Sequence, residues 1–237
     1  MKKTMADYKF FKDYFTIPPI ISYNYDKRII IKEFISSKPK DEWKDNDYER
    51  IINSIFENYK SYYRSIKYKK ELEDRSAKYY YTKLVEDDIF KELVYKLKSK
   101  ISDDLFYSEF PLVYQHGDLH LQNIILGKNG KIYYIDWDYV VYAIFFYDFL
   151  NGKQLECDYT DNFKTLKNYL QGLYDSYYIK IFSLFGYDFK TDKRIEYIYI
   201  YILEDIYLRT LHWVDSSKRN LVKKYEQLLQ QLENELN

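Results

Sequence analysis

The sequence predicts an α+β fold that is mostly helical and contains two short β-hairpins, one near the N-terminus and one near the middle of the chain. Apolar residues recur at helical spacing over about 41–68, 85–101 and 217–236. Short apolar runs bounded by turn residues occupy 20–35 and 123–135, which is typical of paired strands. The 237 residues are enough for one good-sized domain or for two small lobes that share a core.

The N-terminal elements follow from local residue types. Residues 5–15 carry aromatic side chains at helical spacing, which predicts the end of a helix. Pro18 and Pro19 then exclude helix from the next segment. The run 28–35 consists mostly of β-branched residues and is expected to be a strand, so 20–35 is interpreted as a β-hairpin.

The central hairpin and the last helix have clearer boundaries. Residues 123–126 and 131–135 are predicted strands, and the segment between them contains Asn-Gly, a strong hairpin-turn signal. The chain after 160 has a helical pattern to its end. The last helix is expected to start at a cap formed by Ser216 or Ser217.

Composition argues against several classes of partner. Lys+Arg and Asp+Glu are both 37, so no net charge draws the chain to nucleic acid or to an acidic membrane, and only a local charged patch could do so. The longest apolar runs, such as 139–147, are far shorter than the roughly 20 residues of a membrane span. Cys157 is the single cysteine, which excludes an internal disulfide and a zinc cluster built on cysteines. A cytoplasmic location is therefore predicted.

The 31 tyrosines are expected on half-buried helix faces, since tyrosine has an apolar ring and a polar tip.

Three polar residues flank the central hairpin without a packing reason to be there. Asn123 and Asp136 lie at its two open ends, which a tight hairpin brings together, and Asp118 precedes them by about one turn. Carboxylate and amide oxygens of this kind suit Mg²⁺, which prefers one or two protein carboxylates together with substrate phosphates. Phosphoryl transfer needs such a metal site and a separate Asp that accepts the proton of the attacking hydroxyl. The arrangement therefore predicts phosphoryl-transfer chemistry.

The two loops at this hairpin carry a family resemblance. His116-Gly-Asp-Leu-His-Leu-Gln-Asn123, followed by Ile135-Asp-Trp-Asp138, resembles the aminoglycoside phosphotransferase and choline kinase family. These are kinase-fold enzymes that phosphorylate small molecules. The resemblance implies a protein-kinase-like fold with a mostly helical C-lobe, in which 116–123 is the catalytic loop and 135–138 the metal loop. It also implies ATP and Mg²⁺ as cofactors.

The resemblance assigns a role to each matching residue. Asp118 corresponds to the catalytic base, and His116, which is grouped with it as catalytic, corresponds to the histidine that braces the catalytic loop. Asn123 and Asp136 correspond to the Mg²⁺ ligands. A supporting role in the loop, the metal site or the substrate site is expected for His120, Asp138 and Asp148.

The N-terminal part is shorter than the resemblance leads one to expect. The first glycine is Gly117, so a glycine-rich phosphate loop ahead of the catalytic loop is excluded. We therefore expect residues 1–36 to be a remnant of a kinase N-lobe and hinge, and 37–237 to be the C-lobe. Two arrangements of the remnant compete. In the favoured arrangement, Glu33, Phe34 and Ile35 belong to the hinge, and their backbone groups bind adenine.

In the other arrangement, 29–32 is the strand that bears the nucleotide lysine, Lys32, and Glu49 is the helix residue that pairs with it. This arrangement requires two further strands and a hinge within 58–110, a segment that is too helical and too charged to supply them. The first arrangement is therefore preferred.

Two functions remain open at this point. The first is an ATP- and Mg²⁺-dependent phosphotransferase that acts on a hydroxyl of a small molecule such as an aminoglycoside, choline or a sugar. The alternative is a non-catalytic pseudokinase, or a split-kinase subunit completed by a separate chain that supplies the missing N-lobe. The acceptor pocket is expected among the C-lobe helices. Four residues there are interpreted either as a site for a cationic acceptor or as a solvated helix face: Glu204, Asp205, Trp213 and Asp215.

Overall fold

The computed structural model describes residues 2–68, 72–160, 163–210 and 214–236, and these form a mixed α+β fold, as predicted. The helices are α1 (Lys2–Phe11), α2 (Asp45–Ile66), α3 (Ala77–Leu84), α4 (Lys91–Ser99), α5 (Asp103–Phe106), α6 (Tyr147–Thr160), α7 (Lys164–Leu170), α8 (Asp175–Leu184), α9 (Arg194–Thr210) and α10 (Asp215–Leu236). The strands are β1 (Ile20–Asn24), β2 (Ile29–Lys32), β3 (Asp74–Ser76), β4 (Glu109–Gln115), β5 (Ile124–Leu126), β6 (Ile132–Tyr134) and β7 (Val141–Ile144). None of the helices in these ranges is long and apolar enough to cross a membrane.

The N-terminal hairpin forms where it was predicted. Strands β1 and β2 pair antiparallel, with Tyr23 opposite Ile30 and Asn24 opposite Ile29. Strand β2 ends at Lys32, three residues earlier than the sequence pattern suggested. The linker that follows joins the tip of the central hairpin, because Lys38 donates its backbone N–H to the Leu126 carbonyl at 2.8 Å.

The central hairpin also has its predicted form. Strands β5 and β6 pair antiparallel, with Ile124 opposite Tyr134 and Leu126 opposite Ile132. At its open end the Ile135 N–H donates to the Asn123 carbonyl at 3.0 Å. The two polar ends of the hairpin are therefore held side by side, as the sequence argument required.

A three-stranded sheet was not predicted. Strand β4 lies between β3 and β7, and both neighbours are antiparallel to it. Its apolar residues Leu112 and Val113 are completely buried. The partners of β4 come from distant parts of the chain, so the short strands β3 and β7 have no local turn signal that would have identified them.

The helices match the prediction unevenly. Helix α2 fills most of the predicted 41–68 region. The helix expected over about 85–101 forms as α4 but begins only at Lys91, because 85–90 is a turn, and α3 was not predicted. Helix α10 begins at Asp215, so Ser216 and Ser217 lie in its first turn and neither is the cap.

Many tyrosines are more buried than predicted. The side chains of ten are at most 1% exposed, and these lie in the core with the apolar residues: Tyr59, Tyr62, Tyr63, Tyr80, Tyr134, Tyr169, Tyr178, Tyr197, Tyr201 and Tyr225. A buried hydroxyl needs a partner, and several find one in a buried carboxylate. Tyr80 donates to Glu204 at 2.5 Å, and Tyr147 donates to Asp205 at 2.5 Å.

The structure corrects the expected acidic pocket. Glu204 and Asp205 are completely buried in α9, so they are neither the lining of an acceptor pocket nor a solvated face. Asp205 accepts hydrogen bonds from Tyr147 and Tyr225 and forms an ion pair with Arg209 at 2.6 Å. Asp215 is exposed at the start of α10, and Trp213 lies outside the described residues.

Glu204 gives the fold a pH dependence. Burial raises the pKa of its carboxyl from 4.5 to about 8, although hydrogen bonds from Tyr80 and the Ile144 N–H oppose the rise. Its Oε2 atom has no hydrogen-bond partner within the described residues. A raised pKa in the folded state favours folding at low pH, and this contribution is lost as pH rises from about 4.5 to about 8. The expected slope is about 1.4 kcal/mol per pH unit as an upper limit.

We therefore expect Glu204→Gln to remove this pH-dependent loss of stability. The wild type should lose melting temperature relative to the variant between pH 5 and pH 8.5, measured by thermal denaturation across that range. Glu86→Gln is the matched control, since Glu86 is exposed and should behave like the wild type. Parallel pH profiles for the wild type and Glu204→Gln would contradict the assignment.

Candidate active site

The candidate catalytic loop, 116–123, contains a glycine that the backbone conformation requires. Gly117 has φ +79°, and a Cβ atom added to it would lie 2.2 Å from the backbone carbonyl oxygen of Tyr139. Any other residue would therefore be strained and would also clash with backbone. This close approach brings the start of the loop against the segment that follows Asp136.

Asp148, at the start of α6, ties down the same loop. It is 1% exposed. Its Oδ1 accepts the Gly117 N–H at 2.9 Å, and its Oδ2 accepts the hydroxyl of Tyr59 from α2. Burial raises the pKa of Asp148 to about 6, against the effect of these hydrogen bonds. One carboxylate thus joins two helices to the loop.

Helix α6 supplies a second pair of contacts that the sequence argument missed. Asn151 donates its side-chain amide to the Gly117 carbonyl at 2.8 Å and accepts a hydrogen bond from Tyr201 at 3.0 Å. One residue later, a Cβ on Gly152 would lie 2.3 Å from the Leu119 carbonyl oxygen. A glycine inside a helical segment usually marks such a close approach, and it was the available signal.

His116 has the geometry of a brace. Its ring is completely buried, and its Nε2–H donates to the Ile135 carbonyl oxygen at 2.8 Å while Nδ1 accepts the Asp118 N–H at 3.3 Å. The ring also packs against Trp137, with centroids 4.5 Å apart. Burial lowers the pKa of His116 to about 4, so the ring is neutral at physiological pH. It connects the catalytic loop to the metal loop and has no free nitrogen for a substrate.

Asp118 and Asn123 are brought together. Asn123 donates its side-chain N–H groups to Oδ2 of Asp118 at 2.9 Å and to the Asp118 carbonyl at 2.8 Å. Both partners are acceptors, so the amide nitrogen must face them and the amide oxygen is left for another ligand. His120 lies beside the same carboxylate, with its Nε2 3.7 Å from Oδ2 of Asp118. Burial acts to raise the pKa of Asp118, but hydrogen bonds from His120 and Asn123 hold it below its ordinary value.

Asp136 occupies an unusual backbone conformation. Its φ of 63° and ψ of 55° are left-handed, a region that asparagine and aspartate enter more readily than other non-glycine residues. Burial raises the pKa of its carboxyl, and the negative charges of Asp138 and Asp118 raise it further. Asp136, Asp138 and Asp118 are thus close enough to repel one another.

The donor set fits Mg²⁺ with a phosphate ligand. The described residues contain no group of three or more His, Cys, Asp or Glu side chains that could hold a metal ion by themselves. The candidate site instead offers the Asp136 carboxylate and the amide oxygen of Asn123. Magnesium commonly binds through one or two carboxylates and completes its octahedron with water and substrate phosphates.

The three predicted hinge residues lie just after β2. Glu33 uses its backbone N–H to bond the Pro19 carbonyl at 2.8 Å, so its N–H is unavailable to adenine. The structure shows no hydrogen bond to the backbone of Phe34 or Ile35 among the described residues. Phe34 is 88% exposed. Phe34 and Ile35 therefore retain backbone N–H and C=O groups of the kind that pair with a purine base.

The alternative arrangement, with Lys32 paired to Glu49, is not found. Lys32 donates its amine to the hydroxyl of Tyr8 in α1, and the described ion pairs include none between Lys32 and Glu49. Glu49 is exposed on α2.

Two further residues, which the sequence analysis did not identify, form hydrogen bonds to the catalytic loop. Lys40 donates to the Leu121 carbonyl at 2.6 Å and to the Gln122 side chain at 2.9 Å. Glu156 accepts the Leu121 N–H. Neither residue lies in a local sequence pattern that would distinguish it from an ordinary exposed charged residue.

Comparison with known proteins finds a family model that matches the part of the chain containing these loops. Residues 54–155 match the model of the phosphotransferase enzyme family (APH), and this segment includes 116–123 and 135–138. Comparison with curated proteins finds no match.

Solved structures with similar chains include an ethanolamine kinase of Plasmodium vivax, at 15% identity and a TM-score of 0.45, which covers 94% of this chain and 70% of that one. They also include spectinomycin phosphotransferase in complex with ADP and spectinomycin, at 16% identity and a TM-score of 0.37, covering 94% of this chain and 77% of that one. The resemblance to the aminoglycoside phosphotransferase and choline kinase family, predicted from the two loops, is confirmed by the match of residues 54–155 to the phosphotransferase enzyme family.

Proposed function

We propose that the chain is an ATP- and Mg²⁺-dependent phosphotransferase that acts on a hydroxyl of a small molecule such as an aminoglycoside, choline or a sugar. One observation carries the proposal. The Asn123 amide nitrogen holds Oδ2 of Asp118, so that the amide oxygen and the Asp136 carboxylate remain available as metal ligands. A base and a metal site are thus assembled at one end of a hairpin.

Asp118 takes the proton of the acceptor hydroxyl. Its Oδ2 is occupied by Asn123, whereas its Oδ1 makes no hydrogen bond within the described residues, and the side chain is 25% exposed. A hydroxyl that approaches Oδ1 can donate its proton as its oxygen attacks the γ-phosphorus of ATP, while the bond from that phosphorus to the bridging oxygen breaks and ADP leaves. His116 keeps the loop in place through Ile135 and the Asp118 N–H.

Asn123 and Asp136 hold the metal, and Asp138 and His120 support this pair of loops. Held by these residues, Mg²⁺ would supply positive charge to offset the negative charge that develops on the phosphate. Phe34 and Ile35 offer their backbone groups to adenine, and the carbonyl of Glu33 remains available beside them. We propose a cytoplasmic location, where Cys157 stays reduced.

The catalytic assignment predicts that Asp118→Asn loses phosphoryl transfer and keeps nucleotide binding. The amide cannot accept the proton as a carboxylate does, so the rate should fall roughly 10²–10⁴-fold. The measurements are transfer of labelled phosphate to an acceptor panel and calorimetric titration with ATP. Asp88→Asn, at an exposed residue in the turn between α3 and α4, is the control and should retain full activity. Full activity in Asp118→Asn would refute the role of this residue.

The metal assignment predicts that Asp136→Asn weakens the Mg²⁺-dependent part of ATP binding. Loss of a direct ligand should lower affinity for Mg²⁺·ATP on the order of 10- to 100-fold or more, because even residues that only orient a ligand matter this much. The measurement is calorimetry with Mg²⁺ and, separately, with EDTA. The variant and the EDTA-treated wild type should then bind ATP alike. A variant that retains the wild-type response to Mg²⁺ would exclude Asp136 as a ligand.

A second candidate function is supported by the N-terminal hairpin. Strands β1 and β2 pair only with each other among the described residues, and an isolated two-stranded hairpin is marginally stable. Its large apolar side chains are exposed: Ile21, Tyr23, Tyr25, Ile29 and Ile31. A split-kinase subunit completed by another chain, or a pseudokinase that binds a partner, would cover such a surface.

The two candidates predict different behaviour of the purified chain. An autonomous enzyme transfers phosphate from Mg²⁺·ATP without a partner. A subunit should gain transfer activity only when it is co-expressed with the partner that covers the hairpin, and a pseudokinase should never gain it. Transfer by the isolated chain at a rate abolished by Asp118→Asn would refute the second candidate.

A further inference from the structure

We propose that Lys40 and Glu156 are positioning residues that fix the two peptide groups of Leu121 and thereby set the Asn123 amide for metal binding. The inference rests on the proposed function, since it concerns a metal ligand of the same site. It gives a role in metal binding to two charged side chains that lie outside both loops.

The two side chains engage both peptide groups that flank Leu121. Glu156, on α6, accepts the Leu121 N–H, which belongs to the peptide between His120 and Leu121. Lys40 donates at 2.6 Å to the Leu121 carbonyl, which belongs to the peptide between Leu121 and Gln122. Because each peptide group is planar, holding both of them restrains φ and ψ of the residue between them.

Leu121 begins the turn that carries Asn123. The segment Leu121–Asn123 is a single 3-10 turn, in which the Ile124 N–H donates to the Leu121 carbonyl and the Asn123 N–H donates to the His120 carbonyl at 2.9 Å. A turn this short has few hydrogen bonds of its own, so contacts from outside set its orientation. The direction of the Asn123 amide, whose nitrogen bonds to Asp118, therefore depends on the peptide groups of Leu121.

Lys40 reaches the turn from the linker after β2. Its amine lies 5.6 Å from the centroid of the Trp43 ring, and Trp43 donates its indole N–H to the Lys38 carbonyl at 3.2 Å. Lys38 in turn bonds to the Leu126 carbonyl of the central hairpin. The linker is thus fixed on the hairpin where it presents Lys40 to the catalytic loop. The same linker begins at 33–35, so it connects the proposed adenine contacts with the metal ligand.

The charges of Lys40 and Glu156 favour each other. Burial lowers the pKa of Lys40 and raises that of Glu156, and in each case the opposite charge of the partner acts against the effect of burial. His120 and Lys153 act on the Glu156 carboxyl in the same direction as Lys40. Partly desolvated groups that bond to one residue form a network, and the contributions of its members depend on each other. Substitutions at the two positions should therefore have coupled effects.

The test separates metal-dependent from metal-independent binding of ATP. Binding with Mg²⁺ is measured by calorimetry, and binding with EDTA by ligand-observed NMR, for Lys40→Met, Glu156→Leu and the double variant. Lys40→Arg and Glu156→Gln keep the donor and the acceptor and are the conservative variants. Lys128→Met is the control, since Lys128 is exposed at the hairpin tip and its described hydrogen bond uses only its backbone N–H.

We expect Lys40→Met and Glu156→Leu each to weaken Mg²⁺-dependent binding of ATP on the order of 10- to 100-fold, as for other residues that orient a metal ligand. Binding of ATP in EDTA should keep its wild-type affinity. The double variant should lose less than the product of the two single effects, because both act through Leu121. The conservative variants should retain most of the affinity, and Lys128→Met should resemble the wild type.

NMR of isotopically labelled protein gives a readout that needs no nucleotide. The side-chain amide signal of Asn123, assigned by its absence from Asn123→Asp, should move in Lys40→Met and Glu156→Leu. It should keep its position in Lys128→Met. Thermal denaturation checks that each variant is folded.

The outcomes separate this inference from the proposed function. Wild-type affinity for Mg²⁺·ATP in Lys40→Met and Glu156→Leu, with an unchanged Asn123 signal, would overturn the inference and leave the proposed function intact. Equal losses with Mg²⁺ and with EDTA would also overturn it, because the pair would then only maintain the fold. Absence of Mg²⁺·ATP binding in the wild type would overturn the proposed function and the metal-binding part of this inference, and the Asn123 signal would still decide whether the pair positions the amide.

Discussion

The buried carboxylate of Asp148 is the interaction on which the geometry of the site depends. It accepts the Gly117 N–H and the Tyr59 hydroxyl, so α6, α2 and the catalytic loop meet at one side chain. Burial of a charge is favourable only where hydrogen bonds replace the lost water, and both oxygens have such a partner here. Loss of Asp148 would remove the acceptor of the Gly117 N–H and of the Tyr59 hydroxyl proton, and the Tyr59 hydroxyl is buried. The position of Asp118, one residue beyond Gly117, follows from this anchor.

The sequence was informative where structure is local. The Asn129-Gly130 turn and its flanking strands formed as predicted, and so did the hairpin that ends at Lys32, because each depends on neighbouring residues. Strand β4 was missed, since its partners β3 and β7 lie more than 20 residues away in the chain. Glu204 was misjudged for a related reason. An acidic residue in a helical pattern is usually exposed, and only the packing of Tyr80 against α9 shows that this one is buried.

The residues of the candidate site also fall into two groups: those that local sequence identifies and those that only tertiary packing reveals. Asp118, Asn123 and Asp136 could be identified because they lie within one short segment whose hairpin must bring them together, and the structure does place Asn123 on Asp118. Asn151 and Lys40 could not be identified from spacing, since they reach the catalytic loop from α6 and from the segment before α2 through tertiary packing. The hydrogen bonds from tyrosine hydroxyls to buried carboxylates could not be identified from the sequence either. Their partners are fixed by the fold, and the sequence shows only that tyrosine is abundant.

The charges at the hairpin mouth support a cation in the proposed site. Asp118, Asp136 and Asp138 repel one another, and burial together with this repulsion raises the pKa of Asp136. His116 adds no positive charge, because burial holds its pKa near 4. Lys32 acts on Asp138 and Asp136 from beyond ion-pair distance, and these carboxylates would repel a polyphosphate in the absence of metal. A divalent cation held by Asp136 would reverse the sign of the interaction, since it would attract the phosphate oxygens that the bare carboxylates repel. Nucleotide binding at this site should for that reason depend on metal before it depends on any single basic side chain.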